Sequence, residues 1–287
     1  MNMSGAWWRR QLAALLRRVR QRVVRARPSE PSWQKVESGP LAGTFFLLPS
    51  GQGAEWTERF IQGRYETAML TALGELARQG GVLYDVGAHM GYYACAWLAL
   101  GGARVEAFEP APFNRRVLEE TLARNRLSDK VRVHGVALGD TNGQATLVIS
   151  EADIGAASAA YLDQPGGSGA LTGSAHFPLP NSKRITVPVR KLDDLFEEMS
   201  LPAPTTVKLD VEGAEAHVLA GAGRVISEFR PAILCEVHST EGGMQVAHRM
   251  AKLGYELTIL GKNGNETACI WLSPGVRGQG SGLKKQR

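Results

Sequence analysis

The stretch Val82-Leu83-Tyr84-Asp85-Val86-Gly87-Ala88-His89-Met90-Gly91 decides the reading of this chain. An apolar run ends in an acid, Asp85. Two glycines follow, Gly87 and Gly91, and the next residues, Tyr92-Tyr93-Ala94-Cys95-Ala96-Trp97-Leu98-Ala99-Leu100, read as a helix. The pattern is strand, tight turn, helix N-terminus. Glycine in such a turn lets a ligand come close to bare backbone, because it has no Cβ and tolerates unusual dihedrals. The spacing Asp-x-Gly-x-His-x-Gly is not the Gly-x-Gly-x-x-Gly of a pyrophosphate loop. No Lys-Ser/Thr follows, so it is not a P-loop either. An acid at the strand end suits a cationic or amine-bearing ligand. The alternative is a plain strand–helix corner.

A second acid strengthens the ligand reading. Residues 103–110, Ala-Arg-Val-Glu-Ala-Phe-Glu-Pro, form another strand ending at Glu109, 18 residues beyond Gly91. In βαβ nucleotide sites an acid at this place hydrogen-bonds the ribose hydroxyls. Pro110 and Pro112 stop the strand, and Pro112 suits the first turn of a helix over 113–126. S-adenosyl-L-methionine (SAM), with its sulfonium and amino group, fits both acids. NAD would use the ribose acid but would need the other glycine spacing.

Outward from this core, strands are expected at 42–48, 82–86, 104–109, 131–137, 144–149, 185–190, 205–210, 231–237, 255–260 and 268–272. Helices are expected at 54–61, 66–79, 91–100, 113–126, 192–199, 214–221 and 243–253. Strands alternating with helices of this length imply right-handed crossovers and a parallel sheet. Such sheets bind ligands beyond the carboxyl ends of their strands. Four expected strand ends carry polar groups there: Asp85, Glu109, Asp210 and the pair Glu236–His238.

The blocks DVGAHMGYY, VEAFEP, VHGVALGD and, most specifically, TVKLDVEGAE at 206–215 resemble the FkbM-type SAM-dependent methyltransferases, from about Tyr65 to Ile259. His89 stands where that family usually has Asn. The resemblance implies a Rossmann-like class I methyltransferase: a mostly parallel seven-stranded α/β sheet with a C-terminal antiparallel hairpin and an N-terminal helical extension. The turn carrying Gly87, Ala88, His89 and Gly91 would hold the methionine part of SAM. Glu109 would take the ribose beside Pro110, and Val136 and Ala137, with Leu138, would flank the adenine. Asp140 is either an adenine contact or a turn residue. Tyr65 and Glu66 belong to a segment that the family packs across the mouth of the site. Asp210 would face the transferred methyl, holding the methionine amino group or orienting the acceptor. Glu212 either helps it or stabilises a helix N-terminus. His238, a base suited to neutral pH, would deprotonate a hydroxyl acceptor. Glu236, Asp210 and His238 are also permissive of a divalent cation, but the reading takes no metal.

The implied function is methyl transfer to a hydroxyl oxygen of a saccharide or natural product. The alternatives are an N- or protein-directed methyltransferase, a non-catalytic SAM-binding module and an NAD oxidoreductase. The net charge is +5, but residues 1–27 hold eight arginines and no acid, so the remainder carries −3. A mildly acidic body argues against a nucleic-acid partner.

Residues 1–30 form an expected basic amphipathic helical arm. Trp8, Leu12, Leu15, Leu16, Val19 and Val23 lie on one side of it and arginines on the other. It suits an anionic membrane surface, a partner or the protein's own domain. Residues 31–80 form a segment over the cofactor site, 81–273 the methyltransferase domain and 274–287 a basic tail. Residues 150–183, rich in Gly, Ala, Ser and Pro, are expected to form a substrate loop. Cys95, Cys235 and Cys269 have no metal-like spacing. They read as buried thiols of a reducing, cytoplasmic compartment, with peripheral contact at the inner membrane face through residues 6–26 as an option.

Overall fold

The computed structural model describes residues 29–50, 55–150, 161–163, 182–263 and 267–275. The expected arm at 6–26, most of the expected substrate loop and nearly all of the tail lie outside the described residues.

The chain first forms an antiparallel pair, β1 (Ser29–Lys35) and β2 (Phe45–Ser50), then helices α1 (Glu55–Ile61) and α2 (Thr67–Ala77). The repeating units follow: β3 (Val82–Val86), α3 (Tyr92–Ala99), β4 (Arg104–Phe108), α4 (Pro112–Arg124) and β5 (Val131–His134). The buried positions of these strands are mostly apolar on both faces, with Asp85, Glu106 and His134 as exceptions, as a parallel sheet covered by helices on each side requires. After a detour described below, α5 (Leu192–Glu198), β10 (Thr206–Leu209), α6 (Glu215–Gly221), α7 (Gly223–Phe229), β11 (Ala232–Val237), α8 (Thr240–Lys252) and the strands β12 (Tyr255–Asn263) and β13 (Thr267–Pro274) complete the domain. The seven-stranded sheet has the order β12-β13-β11-β10-β3-β4-β5. It is parallel from β11 to β5, and β12 and β13 add the antiparallel hairpin.

The chain order reverses between β3 and β10. Such a switch point opens a crevice at the carboxyl ends of the two strands. One core layer packs α2, α3 and α4 on one face of the sheet, around Met69, Leu73, Trp97 and Leu118. The other packs α5 to α8 on the opposite face, around Leu192, Leu219, Ile226 and Met250.

Several elements depart from the sequence reading, which has no counterpart of β1 or of a strand at Tyr161–Asp163. The strand expected at 131–137 stops at His134; Ala137–Leu138 leaves the main sheet and forms β6, which pairs in parallel with Val189–Arg190. A second, four-stranded sheet results, in the order β6-β9-β7-β8, with β7 at Gly143–Ser150, β8 at Tyr161–Asp163 and β9 at Ser182–Arg190. Helix α7, absent from the reading, occupies Gly223–Phe229. Helix α8 starts at Thr240 rather than 243, because the Ser239 hydroxyl caps it by accepting the Gly242 N–H at 2.9 Å. Among the described residues no helix is long and apolar enough to cross a membrane. All three cysteines are free and buried.

Candidate functional site

The crevice at the switch point holds a cavity of about 360 Å³. The turn after β3 supplies Gly87, Ala88, His89 and Met90. The end of β4 supplies Phe108, Glu109 and Pro110. Val136, Ala137 and Leu138 come from the crossing to the second sheet, and Leu147 from that sheet itself. Asp210, Val211 and Glu212 follow β10, and Phe60, Tyr65, Glu66, Tyr92 and Tyr93 close the remaining side. Of the expected site residues, the structure therefore gathers Tyr65, Glu66, Gly87, Ala88, His89, Glu109, Pro110, Val136, Ala137, Asp210 and Glu212 around one space. Asp85, Gly91, Glu236 and His238 do not line it.

The turn is shaped by contact with β10. Gly87 has φ 82°, and a Cβ there would lie 1.8 Å from the Asp210 carbonyl oxygen, so no other residue fits. The N–H groups of Gly87 and Ala88 both donate to the Phe108 carbonyl, at 3.0 and 3.1 Å. The His89 N–H donates to Glu109 Oε2 at 2.8 Å. The turn thus offers the cavity close backbone approach more than free donors. Burial brings the His89 imidazole down to about 4, so its ring is neutral.

Glu109 organises the middle of the cavity. Its Oε1 accepts the Ala111 N–H at 2.9 Å and the Asn114 amide at 3.4 Å. With His89 on Oε2, three acceptor positions are filled and Oε2 retains one. Burial pushes this carboxyl up to about 7, against the hydrogen bonds that favour its charge.

Asp85 departs from its expected place. It lies within β3 with 0% exposure, and neither carboxylate oxygen makes a hydrogen bond. Burial pushes it up to about 6, while Lys208, its register partner on β10, pulls the other way. It is a charge partner beneath the site. Asp140, read as an adenine contact or a turn residue, pairs instead with His217 Nδ1 at 2.9 Å and does not line the cavity.

Lys208, which the sequence reading passed over, is the hub of the acidic end. It is 1% exposed, bonds Asp210 Oδ2 at 3.0 Å and lies 4.2 Å from the centre of the Tyr93 ring. Burial works against its charge. The carboxylates of Asp210, Glu66, Glu236 and Asp85 more than offset this and hold the ammonium above the usual lysine range. Asp210 is pushed up by burial but held below the ordinary carboxylate range by Lys208 and His238. Burial lifts Glu66 and Glu212 to about 7 each, opposed by Lys208 at the first and by His238 at the second. The Tyr93 hydroxyl donates to Glu66, and the Tyr92 hydroxyl to the Tyr65 carbonyl at 2.9 Å, which ties the 65–66 segment to α3.

His238 is 6% exposed, and its Nδ1 lies 2.8 Å from Oε1 of the buried Glu215. Burial opposes its charge, but Glu215, Asp210 and Glu212 prevail and raise it to about 9. Glu215 was also missed, because a Glu in the first turn of a helix ordinarily faces solvent. A sequence signal for Lys208 did exist: a lone charge inside the otherwise apolar strand Thr206–Leu209 needs a buried partner.

A family model described as the methyltransferase FkbM domain matches residues 85–267. The chain belongs to the FkbM methyltransferase family. Hexuronic acid methyltransferase AglP of Haloferax volcanii is 26% identical over 240 residues, covering 80% of this chain and 90% of that protein. The 31-O-demethyl-FK506 methyltransferase FkbM of Streptomyces tacrolimicus is 31% identical over 182 residues, covering 58% and 69%. The 2-O-methyltransferase NoeI of Sinorhizobium fredii is 29% identical over 153 residues, covering 52% and 60%. Among solved structures, that of a methyltransferase FkbM from Methylobacillus flagellatus KT aligns with TM-score 0.49 and 17% identity, covering 77% of this chain and 55% of that one.

The protein is a SAM-dependent methyltransferase of this family, and the cavity fits its cofactor. The cavity's apolar lining, including Phe108, Val136, Leu138 and Leu147, suits a flat base. Glu109 retains an acceptor position, and the carboxyl groups of Glu66, Asp210 and Glu212 also line it, as a sulfonium and an amine would need.

Proposed function

We propose that this methyltransferase acts on a hydroxyl oxygen of a saccharide or natural product. The observation that carries the reading is the pair of cavity-lining carboxyls, Glu66 and Glu212, each held near 7 by burial. A group poised there is suited to take a proton from a hydroxyl at neutral pH. The names of the relatives support the reading: one acts on a hexuronic acid and two are named for methylation at oxygen.

When bound, SAM supplies an electrophilic methyl group on a positively charged sulfur. Glu109 would hold the ribose, and Val136, Ala137 and Leu138 would flank the adenine. The turn at 87–91 would lie along the methionine moiety, with Asp210 facing its positive groups. The acceptor hydroxyl would enter at the acidic end. Glu66 or Glu212 would take its proton as the oxygen accepts the methyl group. Asp210, kept ionised by Lys208, retains its negative charge while the sulfonium's positive charge is lost. Much of the acceleration comes from alignment of the reacting atoms. His238 sits behind Asp210 and Glu212, so it would act through them.

The test is transfer of labelled methyl from SAM to panels of uronic-acid oligosaccharides, neutral glycans and polyketide alcohols. The expected product is an alkali-stable methyl ether, lost in Glu212→Gln or Glu66→Gln while SAM binding persists. Label found on amines or on protein would refute the oxygen assignment.

A further inference from the structure

Asp210, Glu212 and His238 each turn one ligand atom toward a common point, and the three atoms lie within 4.8 Å of one another. His238 Nε2 stands 3.4 Å from Asp210 Oδ1 and 3.5 Å from Glu212 Oε2. The ring's hydrogen bond is made at its other nitrogen, with Glu215 at 2.8 Å, so Nε2 is aimed at two carboxylates without a hydrogen bond of its own. This nitrogen belongs to a side chain only 6% exposed.

Glu215 fixes what Nε2 presents. It is 1% exposed, and its Oε1 also accepts the Gly213 N–H at 2.9 Å. A carboxylate accepts only, so Nδ1 carries a hydrogen and Nε2, facing Asp210 and Glu212, is the ring position that takes either a cation or a second proton. Three electron-rich atoms at this spacing repel unless a positive charge stands among them. Around a cation with bonds of about 2.0–2.2 Å, neighbouring ligand atoms fall about 3.0–3.5 Å apart, which matches both distances from Nε2. A buried carboxylate on the far nitrogen of a ligating histidine is the usual outer support of a metal site.

We propose that Asp210, Glu212 and His238 bind one divalent first-row cation, of the Mn²⁺ or Zn²⁺ class that mixed imidazole and carboxylate donors suit, with Glu215 as the residue that positions His238. The sequence reading took no metal and grouped Glu236 with Asp210 and His238; the structure puts Glu212 in that place. Asp210 and Glu212 both line the cavity. On the methyltransferase reading above, the cation would hold the acceptor oxygen and make its proton easier to remove, leaving Glu66 to take it. The competing occupant is a proton on Nε2, which would bridge the same carboxylates as an imidazolium.

The test uses the full chain and Mn²⁺ alone, following loss of the free aqua-ion signal by electron paramagnetic resonance. One Mn²⁺ per chain is expected. His238→Gln and Glu212→Gln should each weaken it more than tenfold, and Glu215→Gln about tenfold or more. The ¹⁵N spectrum of the wild-type histidines provides a measurement that no variant's folding can confuse: Zn²⁺ should shift the His238 Nε2 signal to that of a metal-bound neutral ring. A folded wild-type protein with no saturable Mn²⁺ binding and an unshifted imidazolium would show that a proton alone bridges the site, overturning the proposal. Undiminished binding in a folded His238→Gln protein would overturn it as well. SAM calorimetry on the same samples keeps this failure separate from failure of the methyltransferase reading.

Discussion

His89 has φ 50°, in the left-handed region where Asn, Asp and His are the least strained residues after glycine. Two other non-glycine residues of the cavity share this conformation, Glu66 at 47° and Glu212 at 52°. The remaining described non-glycine cases, Arg126, Ser200 and Arg230, lie just past helix ends, where such a residue closes the last turn. Strain inside the domain is thus concentrated at the site, at about 1–3 kcal/mol for each such residue. His89→Asn should keep SAM affinity within about threefold. His89→Val, β-branched and poorly suited to this φ, should weaken it more than tenfold, about 1.4 kcal/mol. Calorimetry with SAM checks both, and equal affinities for the two variants would count against the strain account. Glu109 makes a pH prediction. Its carboxyl lies near 7 in the free protein, and ribose hydroxyls bond its ionised form more strongly. SAM affinity should therefore fall as pH drops from 8 to 6, and Glu109→Gln should lose that group's share of the fall.

At the scale of elements, the turn after β3 and the end of β10 form one unit. The Asp210 N–H donates to the Val86 carbonyl at 3.1 Å, and the Asp210 carbonyl occupies the space where any residue but Gly87 would put its Cβ. Lys208 joins the same strands electrostatically. Its single ammonium faces Asp85 on β3, Asp210 after β10, Glu236 on β11 and Glu66 before α2. Removing one partner of a buried charge cluster leaves the others uncompensated, at about 3–5 kcal/mol. Lys208→Met should lower stability to urea by that order and abolish methyl transfer. A variant within 1 kcal/mol of wild type would show that solvent or protonation neutralises the acids without help.

For the whole molecule, the buried acids set the pH response. Glu66, Asp85, Glu109 and Glu212 have folded values of about 7, 6, 7 and 7, above the ordinary 4.5 for Glu and 3.8 for Asp. Between those limits the folded state binds more protons than the unfolded chain, so stability from these groups declines as pH rises. His238 acts in the same sense: raised from 6.5 to about 9, it contributes fully below 6.5 and loses its contribution as pH climbs through 9. Asp210, whose value is lowered, opposes this in the acid range below 3.8, and His89, lowered from 6.5 to about 4, opposes it between those values, one group against the four acids. The melting temperature of the SAM-free protein should fall from pH 5.5 to 8.5. A thermal scan that rises across this range would contradict the shared origin of these shifts.

Sequence alone settled the seven strands of the main sheet, the family, the Gly87 turn and the placing of Glu109 at the second strand end. These follow from short-range causes: apolar runs bounded by Gly and Pro, and one strand end per βα unit. Only the tertiary structure decided how polar residues near those ends divide between cavity and core. Within a strand, side chains alternate between the two faces, and which face is covered depends on neighbours distant in sequence. Asp85 and Lys208 meet because β3 and β10, more than a hundred residues apart, lie side by side in register. Ala137–Leu138 leaves the main sheet for a partner, β9, that the chain forms much later. His238 is turned by Glu215, a contact between the end of β11 and the start of α6. The sheet edge that carries the cavity was legible locally; the protonation and pairing of its acids depended on packing between remote segments.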